Sequence, residues 1–476
     1  MKPLAICSNF ASSELGDPAI LKNLQRKEQS LAKLTIKIHL DKNSRCHFAI
    51  PTKICKSRGI SKGDTLLLRF TYYSNVCIDV CTIADWGHTT LSTHLGKFLE
   101  LKKGTEVLVE ILAKANKLEI DKVMISGKLD LLALMPNYAI FERPEDYVTL
   151  YKKPSRPITI PRFLEINSEL LETLYLIWGD GSYEGKLFLA NKCPELHLKT
   201  INYFENYLKI PEDFWKLRIL LTERQNSKKA KDYWLSKLNF KEEQLYPTIS
   251  GAKLKTTNVG NARIVLESKA MAELIKNLLS FVNSNVEKLS LKECLHILNG
   301  LLMAEGGTDV TKGDKGLHYL SLSHSQEEKE LFEKVISLCG LNKEFKRSRK
   351  DMLKASGWKL LYIVLQKFTE NEVILMKDHP QRLQRILTFL EHSYVKSMNT
   401  YLMTLKRNGR LTTPNFVKIL KCNKSSVYDY FKKYSAFVKV NGSPKTYELS
   451  EEGEKFVKTI ETLQKWKEVS NAKTTV

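Results

Sequence analysis

Leu170-Leu171-Glu172-Thr173-Leu174-Tyr175-Leu176-Ile177-Trp178-Gly179-Asp180-Gly181 and Cys294-Leu295-His296-Ile297-Leu298-Asn299-Gly300-Leu301-Leu302-Met303-Ala304-Glu305-Gly306 are built to one pattern. Each is an apolar run that reads as a helix and ends on a carboxylate followed by glycine. Helices packed side by side need small residues where their backbones approach. Gly179 and Ala304 stand just before the acids, and Gly300 stands about one turn earlier. Glycine after each acid is expected to end the helix in a left-handed cap. Asp180 and Glu305 would then lie together at one end of the seam. Carboxylates there oppose both helix dipoles and repel each other, which is costly unless a cation neutralises them. Mg2+ shared by the two acids and a scissile phosphate supplies that neutralisation, although other divalent cations would also fit.

The two segments resemble the LAGLIDADG homing endonucleases, specifically the monomers that carry both motifs in one chain. The match lies in Gly179-Asp180-Gly181-Ser182 and Gly300-Leu301-Leu302-Met303-Ala304-Glu305-Gly306-Gly307, and the likeness runs through most of residues 165–395. The acids stand 125 residues apart (Asp180 to Glu305), which is room for one αββαββα unit. Strands are expected at Lys186–Lys192 and His318–Ser325, with helices at Glu195–Leu208 and Gln326–Gly340. The clearest members of the later strand pairs are Ala262–Glu267 and Trp358–Leu365. Tyr175 replaces a small residue usual at the family's seam, which implies a wider or asymmetric helix contact unless Gly300 accepts it. Trp178 replaces a frequent acid.

The resemblance implies magnesium-dependent hydrolysis of both strands of a duplex, with Asp180 and Glu305 as catalytic and metal-binding residues. It places Asn191 and His324 as water-orienting residues, Lys377 as the basic residue assisting the reaction, and Lys288 as its weaker counterpart. It also implies a saddle of strands over the major groove. Candidate DNA contacts on those strands are Lys186, Lys192, Lys253, Lys255, Arg263, Lys312, Lys346, Arg347, Arg349 and Lys359.

Composition agrees with a polyanionic partner. The 476 residues carry 75 Lys+Arg against 53 Asp+Glu, a formal charge of +22, with 43% hydrophobic residues. That balance describes folded basic domains rather than a disordered basic tail. The opening residues are too poor in apolar side chains for a secretory leader, and no later run approaches a membrane span. A soluble, monomeric, cytoplasmic and nucleoid-associated protein is expected. Nine scattered cysteines read as reduced thiols, and the Cys77-x3-Cys81 pair lacks a second pair to complete a zinc site.

Between residues 33 and 135 the chain repeats itself with a shift of 41 residues, Ile50 falling on Leu91. Thr52 matches Thr93, Lys56 matches Lys97, Lys62-Gly63 matches Lys103-Gly104 and Leu67 matches Leu108. This predicts a pseudo-symmetric small β-barrel. Ala49-Ile50-Pro51-Thr52 through Lys62-Gly63-Asp64 resembles the AbrB-like swapped-hairpin DNA-binding family, which implies DNA contacts from Lys53, Lys56 and Arg58, with Lys62 beside them.

At the other end, Met398–Lys406, a helix opened by Thr412-Thr413-Pro414, and a third capped by Asn423-Lys424 precede a hairpin turning at Asn441-Gly442. This order resembles a winged helix-turn-helix. Lys424, Ser425, Ser426, Tyr428 and Lys432 would enter the major groove, and Lys445 on the wing would meet phosphate. The expected class is therefore α+β, a pseudo-symmetric αββαββα core between a β-barrel domain and a winged-helix domain. The expected boundaries are a lead-in over 1–32, the tandem β domain over 33–135, a linker over 136–160, the core over 161–395 (repeats 165–288 and 289–395) and the winged helix over 396–476.

Two rivals use the same features. A non-cleaving transcriptional regulator would employ DNA-binding domains on both flanks of such a core. An RNA-splicing maturase would bind intron RNA. Two retained acids favour catalysis, and the chain lacks the Cys or Ser start and the His-Asn end of an intact intein.

Overall fold

A computed structural model describes residues 30–40, 46–73, 75–90, 101–115, 123–135, 137–152, 156–222, 225–249, 251, 259–310 and 316–474. The architecture is mixed α+β, assembled from small antiparallel sheets.

Alternating apolar residues open the first region as β1 (Ala32–Lys37), β2 (His39–Leu40) and β3 (Cys46–Ala49), followed by helix α1 (Thr52–Ser57). Then come β4 (Thr65–Tyr72), β5 (Asn75–Thr82), β6 (His88–Thr90) and β7 (Glu106–Lys114). They form two sheets, in the orders β1-β7-β4-β5 and β2-β3-β6. The 41-residue repeat is written into their pairing. Phe48 of β3 stands opposite Thr89 of β6, and Arg69 of β4 opposite Glu110 of β7; in each pair the partners are equivalent positions of the two copies. Antiparallel strands that meet at equivalent residues are related by a local twofold axis. The axis passes beside an ion pair, Arg69 Nη1 to Glu110 Oε2 at 3.2 Å. Gly63 and Gly104 turn the chain into β4 and β7 with φ of +89° and +84°, a conformation that favours glycine. The second copy's counterpart of α1 lies outside the described residues.

The next segment corrects an expectation. Residues 136–160 are not a linker. They carry most of a sheet of β10 (Ala139–Arg143), β11 (Tyr147–Tyr151) and β12 (Ile158–Pro161), preceded by β8 (Met124–Ile125) and β9 (Lys128–Asp130) and followed by β13 (Phe163–Glu165), which pairs with β9. Of the prolines and charges that read as a linker, Pro144, Glu145 and Asp146 form a turn and Arg156 is exposed, while Ile140, Phe141, Val148, Leu150, Ile158 and Ile160 are buried; Pro136 and Lys153-Pro154-Ser155 lie outside the described residues. Asp130, fully buried, is held by Arg162 through Nη2 at 2.8 Å.

From Ser168 the helix–strand order runs twice. The first run is α2 (Ser168–Asp180), β14 (Gly181–Ser182), β15 (Leu187–Asn191), α3 (Pro194–Asn206), β16 (Trp215–Leu220), α4 (Ser227–Leu238), β17 (Asn261–Leu266) and α5 (Lys269–Asn285). The second is α6 (Leu291–Glu305), β18 (Gly306–Val310), β19 (Leu317–Ser323), α7 (Lys329–Leu338), β20 (Lys346–Arg349), β21 (Met352–Ser356) and α8 (Trp358–Glu370). The sheets share one order, β14-β15-β17-β16 and β18-β19-β21-β20, and the additional helix α4 accounts for extra length in the first run. Trp358–Leu365, expected as a strand, is the start of α8. Leu361, Val364, Leu365 and Phe368 are buried at helical spacing, and Gly357 at φ +82° turns the chain out of β21.

The remainder is α9 (Pro380–Leu387), α10 (Ser393–Asn408), β22 (Leu411–Thr412), α11 (Thr413–Leu420), α12 (Lys424–Lys433), β23 (Val438–Asn441), β24 (Thr446–Leu449) and α13 (Glu451–Thr474). Aromatic stacking holds this part together, with Tyr401 on Tyr430 at 3.8 Å and Phe431 on Tyr447 at 4.3 Å between centroids. Helix α13 packs back on α8, α9 and α10. The chain divides into two compact units, residues 1–166 with 181–281, and residues 167–180 with 282–476. Among the described residues no helix is long and apolar enough to cross a membrane.

Helix α3 supplies a pH test of the first unit. Burial, with Glu212 nearby, pushes the Glu205 carboxyl up to about 7. Because the folded value is raised, stability is fully present below the ordinary glutamate value and is lost as pH rises through about 7. Glu205→Gln removes that loss. At pH 8 the variant should be more stable than the parent by on the order of 1 kcal/mol, discounted because the group is only half withdrawn from water. At pH 4 the two should coincide in urea unfolding.

Candidate functional site

Helices α2 and α6, both in the second unit, pack along their length, and the seam is set by their glycines. A Cβ added at Gly300 would lie 2.7 Å from the Glu172 carbonyl oxygen and 3.0 Å from Tyr175 Cβ. One at Gly179 would lie 2.5 Å from Ala304 Cβ and 3.2 Å from Glu305 Cγ. The residue before one acid therefore touches the side chain of the other. Tyr175 does not widen the contact. Its ring is fully buried, packs on Trp178 and hydrogen-bonds Asn283 through its hydroxyl, leaving Gly300 to receive its Cβ.

The glycines after the acids act differently from the expected left-handed caps. Gly306 is extended (φ −73°, ψ 148°), and Gly181 likewise avoids positive φ. The chain runs directly from helix into strand at both places. At Gly306 glycine is required by space, since a Cβ would fall 2.1 Å from the Leu302 carbonyl oxygen.

Glu305 is half-buried. Burial and then the neighbouring Glu328 raise its carboxyl above the ordinary glutamate value, and Arg382 pulls it back down. Glu328 precedes α7, where its carboxylate accepts from Ser325 N at 2.7 Å. Arg382, on α9, donates from Nη1 to the carbonyls of Leu302 and Met303 at 2.9 and 2.6 Å. It thus places a cation on the negative end of α6 beside Glu305. Arg385 of the same helix donates to Thr308 O at 3.3 Å, so α9 braces both sides of the α6–β18 corner. Neither Glu328 nor these arginines was found from sequence, because α9 shows no motif. Their nearness is purely tertiary. Arg382→Met should destabilise the protein by about 2 kcal/mol in urea unfolding, the worth of charge-assisted bonds to otherwise unpaired helix-end carbonyls. A change under about 0.5 kcal/mol, the range of ordinary surface substitutions, would show that the helix end does not depend on this arginine.

A second polar cluster lies in the seam. Glu172, buried, accepts from Asn299 Nδ2 at 2.9 Å and pairs with His296 Nδ1 at 2.8 Å. Asn299 also holds the backbone of the segment after α8, accepting from Met376 N at 2.7 Å and donating to Ile374 O at 3.3 Å. Lys377 follows directly, anchored to a helix position about 9 Å along the axis from Glu305.

The other expected residues are distributed as follows. His324 is buried, with Nδ1 2.9 Å from Ser325 O and Nε2 unpartnered among the described residues; its ring meets Phe332, which meets Trp178. Asn191 lies in the first unit, where its Oδ1 accepts from Cys193 N at the start of α3. Lys288 is exposed and donates to Asn285 at 2.9 Å.

Of the expected nucleic-acid contacts, Lys186 is ion-paired with Glu267 at 3.5 Å, Lys192 is exposed, and Arg263 is half-buried over the Phe188 ring. Lys346, Arg347 and Arg349 form β20, an edge strand exposed at every position. Lys359 lies over Trp358. Lys424, Ser425, Ser426, Tyr428 and Lys432 are exposed on α12, and the hairpin brings Lys445 Nζ to 5.8 Å from the Tyr428 ring centroid. Lys53, Lys56 and Arg58 are exposed on and after α1, while Lys62 pairs with Asp85 at 2.9 Å. Lys253, Lys255 and Lys312 lie outside the described residues. Cys77 and Cys81 are buried, their thiols directed to the carbonyls of Phe70 and Thr90.

Among the described residues no three His, Cys, Asp or Glu side chains converge as a metal-ligand set. Two carboxylates completed by water and substrate oxygens are a donor set that suits Mg2+, which sheds its waters reluctantly. No protein-family model matches this chain, and no curated protein does. A solved structure, the solution structure of PHS018 from Pyrococcus horikoshii, is similar at 20% identity over 18% of this chain and 94% of that one, with a TM-score of 0.17.

Proposed function

We propose that this chain is a site-specific DNA endonuclease of the two-motif LAGLIDADG homing type, hydrolysing phosphodiesters of a duplex with Mg2+. The observation that carries the reading is the seam of α2 and α6, where Gly179 lies against Glu305 and each helix ends on an acid. Asp180 and Glu305 hold the metal, which supplies Lewis-acid activation of water and of the leaving oxygen. Arg382 offsets the negative helix end, and the buried Glu172–Asn299 cluster fixes the segment bearing Lys377. The matching sheet orders of the two runs support a pseudo-symmetric core. The twofold pairing of residues 33–115 supports an AbrB-like tandem, and α10–α12 with the β23–β24 hairpin support a winged helix. Lys424, Lys432 and Lys445 then lie on duplex DNA.

Incubating the protein with a plasmid library and Mg2+ tests this reading. Magnesium-dependent double-strand cuts at a restricted set of sites are expected. Tight duplex binding without cuts under any divalent ion would instead make the chain a non-cleaving regulator.

A further inference from the structure

Helix α9 has eight residues, too few to hold a helix by its own hydrogen bonds, so its neighbours position it. It packs on β18 and on α13, and its two sides carry different anchors. Residues two apart leave a helix about 200° apart, so Arg382 and Gln384 point to nearly opposite sides. Arg382 reaches the carbonyls of Leu302 and Met303 ahead of Glu305, and Arg385 reaches that of Thr308. Gln384 donates from Nε2 to Ser470 Oγ at 2.9 Å and to Asn471 Oδ1 at 3.3 Å, both near the end of α13. The segment leading into α9 is tied to α6 as well. Met376 has a φ of +54°, unusual for a residue with a side chain, and its N–H is bonded to the buried Asn299.

Helix α13 is seated by contacts of its own. A Cβ on Gly453 would lie 2.2 Å from the Phe437 carbonyl oxygen, and the Phe456 ring stands 5.6 Å from that of Phe437 and 5.1 Å from that of Tyr362. Val457, Ile460, Leu463 and Trp466 continue the buried stripe at helical spacing. Lys467 pairs with Glu391, beyond the end of α9, at 3.2 Å. One uninterrupted helix therefore runs from the wing hairpin to the bonds on Gln384. The bonds on the other side of α9 are short, and a shift of about 1 Å away from α6 would take a donor at 2.9 Å out of hydrogen-bond range. It would also withdraw a cation from the negative end of the helix that carries Glu305.

We propose that Gln384 is a positioning residue for cleavage: through it α13 holds α9, and so Arg382, against the end of α6 that carries Glu305. The inference rests on the endonuclease reading and extends its working parts to the closing helix of the carboxy-terminal region.

The test uses the full chain and a duplex cut by the parent, and measures single-turnover cleavage, duplex affinity and urea unfolding. The variants are Gln384→Leu and Ser470→Ala, each alone and combined with Arg382→Met. Gln384→Leu should slow cleavage by about 10-fold at unchanged duplex affinity, part of the roughly 100-fold that a 1 Å misplacement can cost. Ser470→Ala should act in the same direction and more weakly, since Asn471 still accepts from Gln384. With Arg382→Met already present, neither change should slow cleavage further, because partners acting through one residue are not additive. The same fold loss in the Arg382→Met background would show that α13 acts by another route and overturn the proposal. Parental rates in both single variants, or a loss matched by weaker duplex binding or by unfolding under assay conditions, would overturn it too. A parent that makes no cut removes the endonuclease reading and the inference with it. That result is distinct from a cutting parent whose variants cut equally fast.

Discussion

Asp180→Asn and Glu305→Gln should each lower the rate of magnesium-dependent cleavage by about 1000-fold while the protein still binds its duplex. A metal-stabilised transition state draws several kcal/mol from its ligands, and each 1.36 kcal/mol is about a factor of ten. Under the proposed function binding should survive, because the phosphate and base contacts would lie on other side chains. The isosteric amides preserve shape while removing charge. Cleavage assays with unfolding curves on the same preparations separate chemistry from folding. Equal activity in parent and variants would remove both acids from the mechanism. The two acids differ in setting, since Glu305 is raised by burial and by Glu328. Cleavage should therefore fail at acidic pH and recover as Glu305 ionises, which must precede metal binding.

Gly300→Val should be the most damaging substitution in the helix seam. The new Cβ would start 2.7 Å from the Glu172 carbonyl oxygen and 3.1 Å from its Cα, and backbone atoms of a packed helix cannot swing aside as a flexible side chain would. Separating the helices also pulls Asn299 from Glu172, leaving a buried carboxylate short of a partner. A loss of about 3 kcal/mol or more is expected in denaturant unfolding, the upper range for overpacking. A variant within about 0.5 kcal/mol of the parent would mean that α2 and α6 do not meet at Gly300.

Much of this was legible in the sequence where local rules act alone. The acid–glycine endings located α2 and α6 because small residues at a helix crossing leave a pattern in the chain itself. The 41-residue repeat was visible before its pairing, since a local twofold axis requires equivalent residues. What escaped reading depended on tertiary surroundings. Prolines at residues 144 and 157 resemble linker punctuation until the apolar residues between them are seen to be buried. Trp358–Leu365 is apolar and rich enough in branched residues to pass for a strand, and only the periodicity continuing to Phe368 separates the two. Gly181 and Gly306 were read for backbone conformation, whereas at Gly306 crowding by Leu302 decides the residue. Arg382 and Glu328 left no local signal in the chain.

Anomalous diffraction from crystals of the protein with its duplex and Mn2+ bears most directly on the shared cation. The account predicts a metal peak with an oxygen of Asp180 and an oxygen of Glu305 both within ligand distance, about 2 Å, beside a backbone phosphate. Peaks that touch only one of the two carboxylates, or none, with the acids facing different regions, would contradict it.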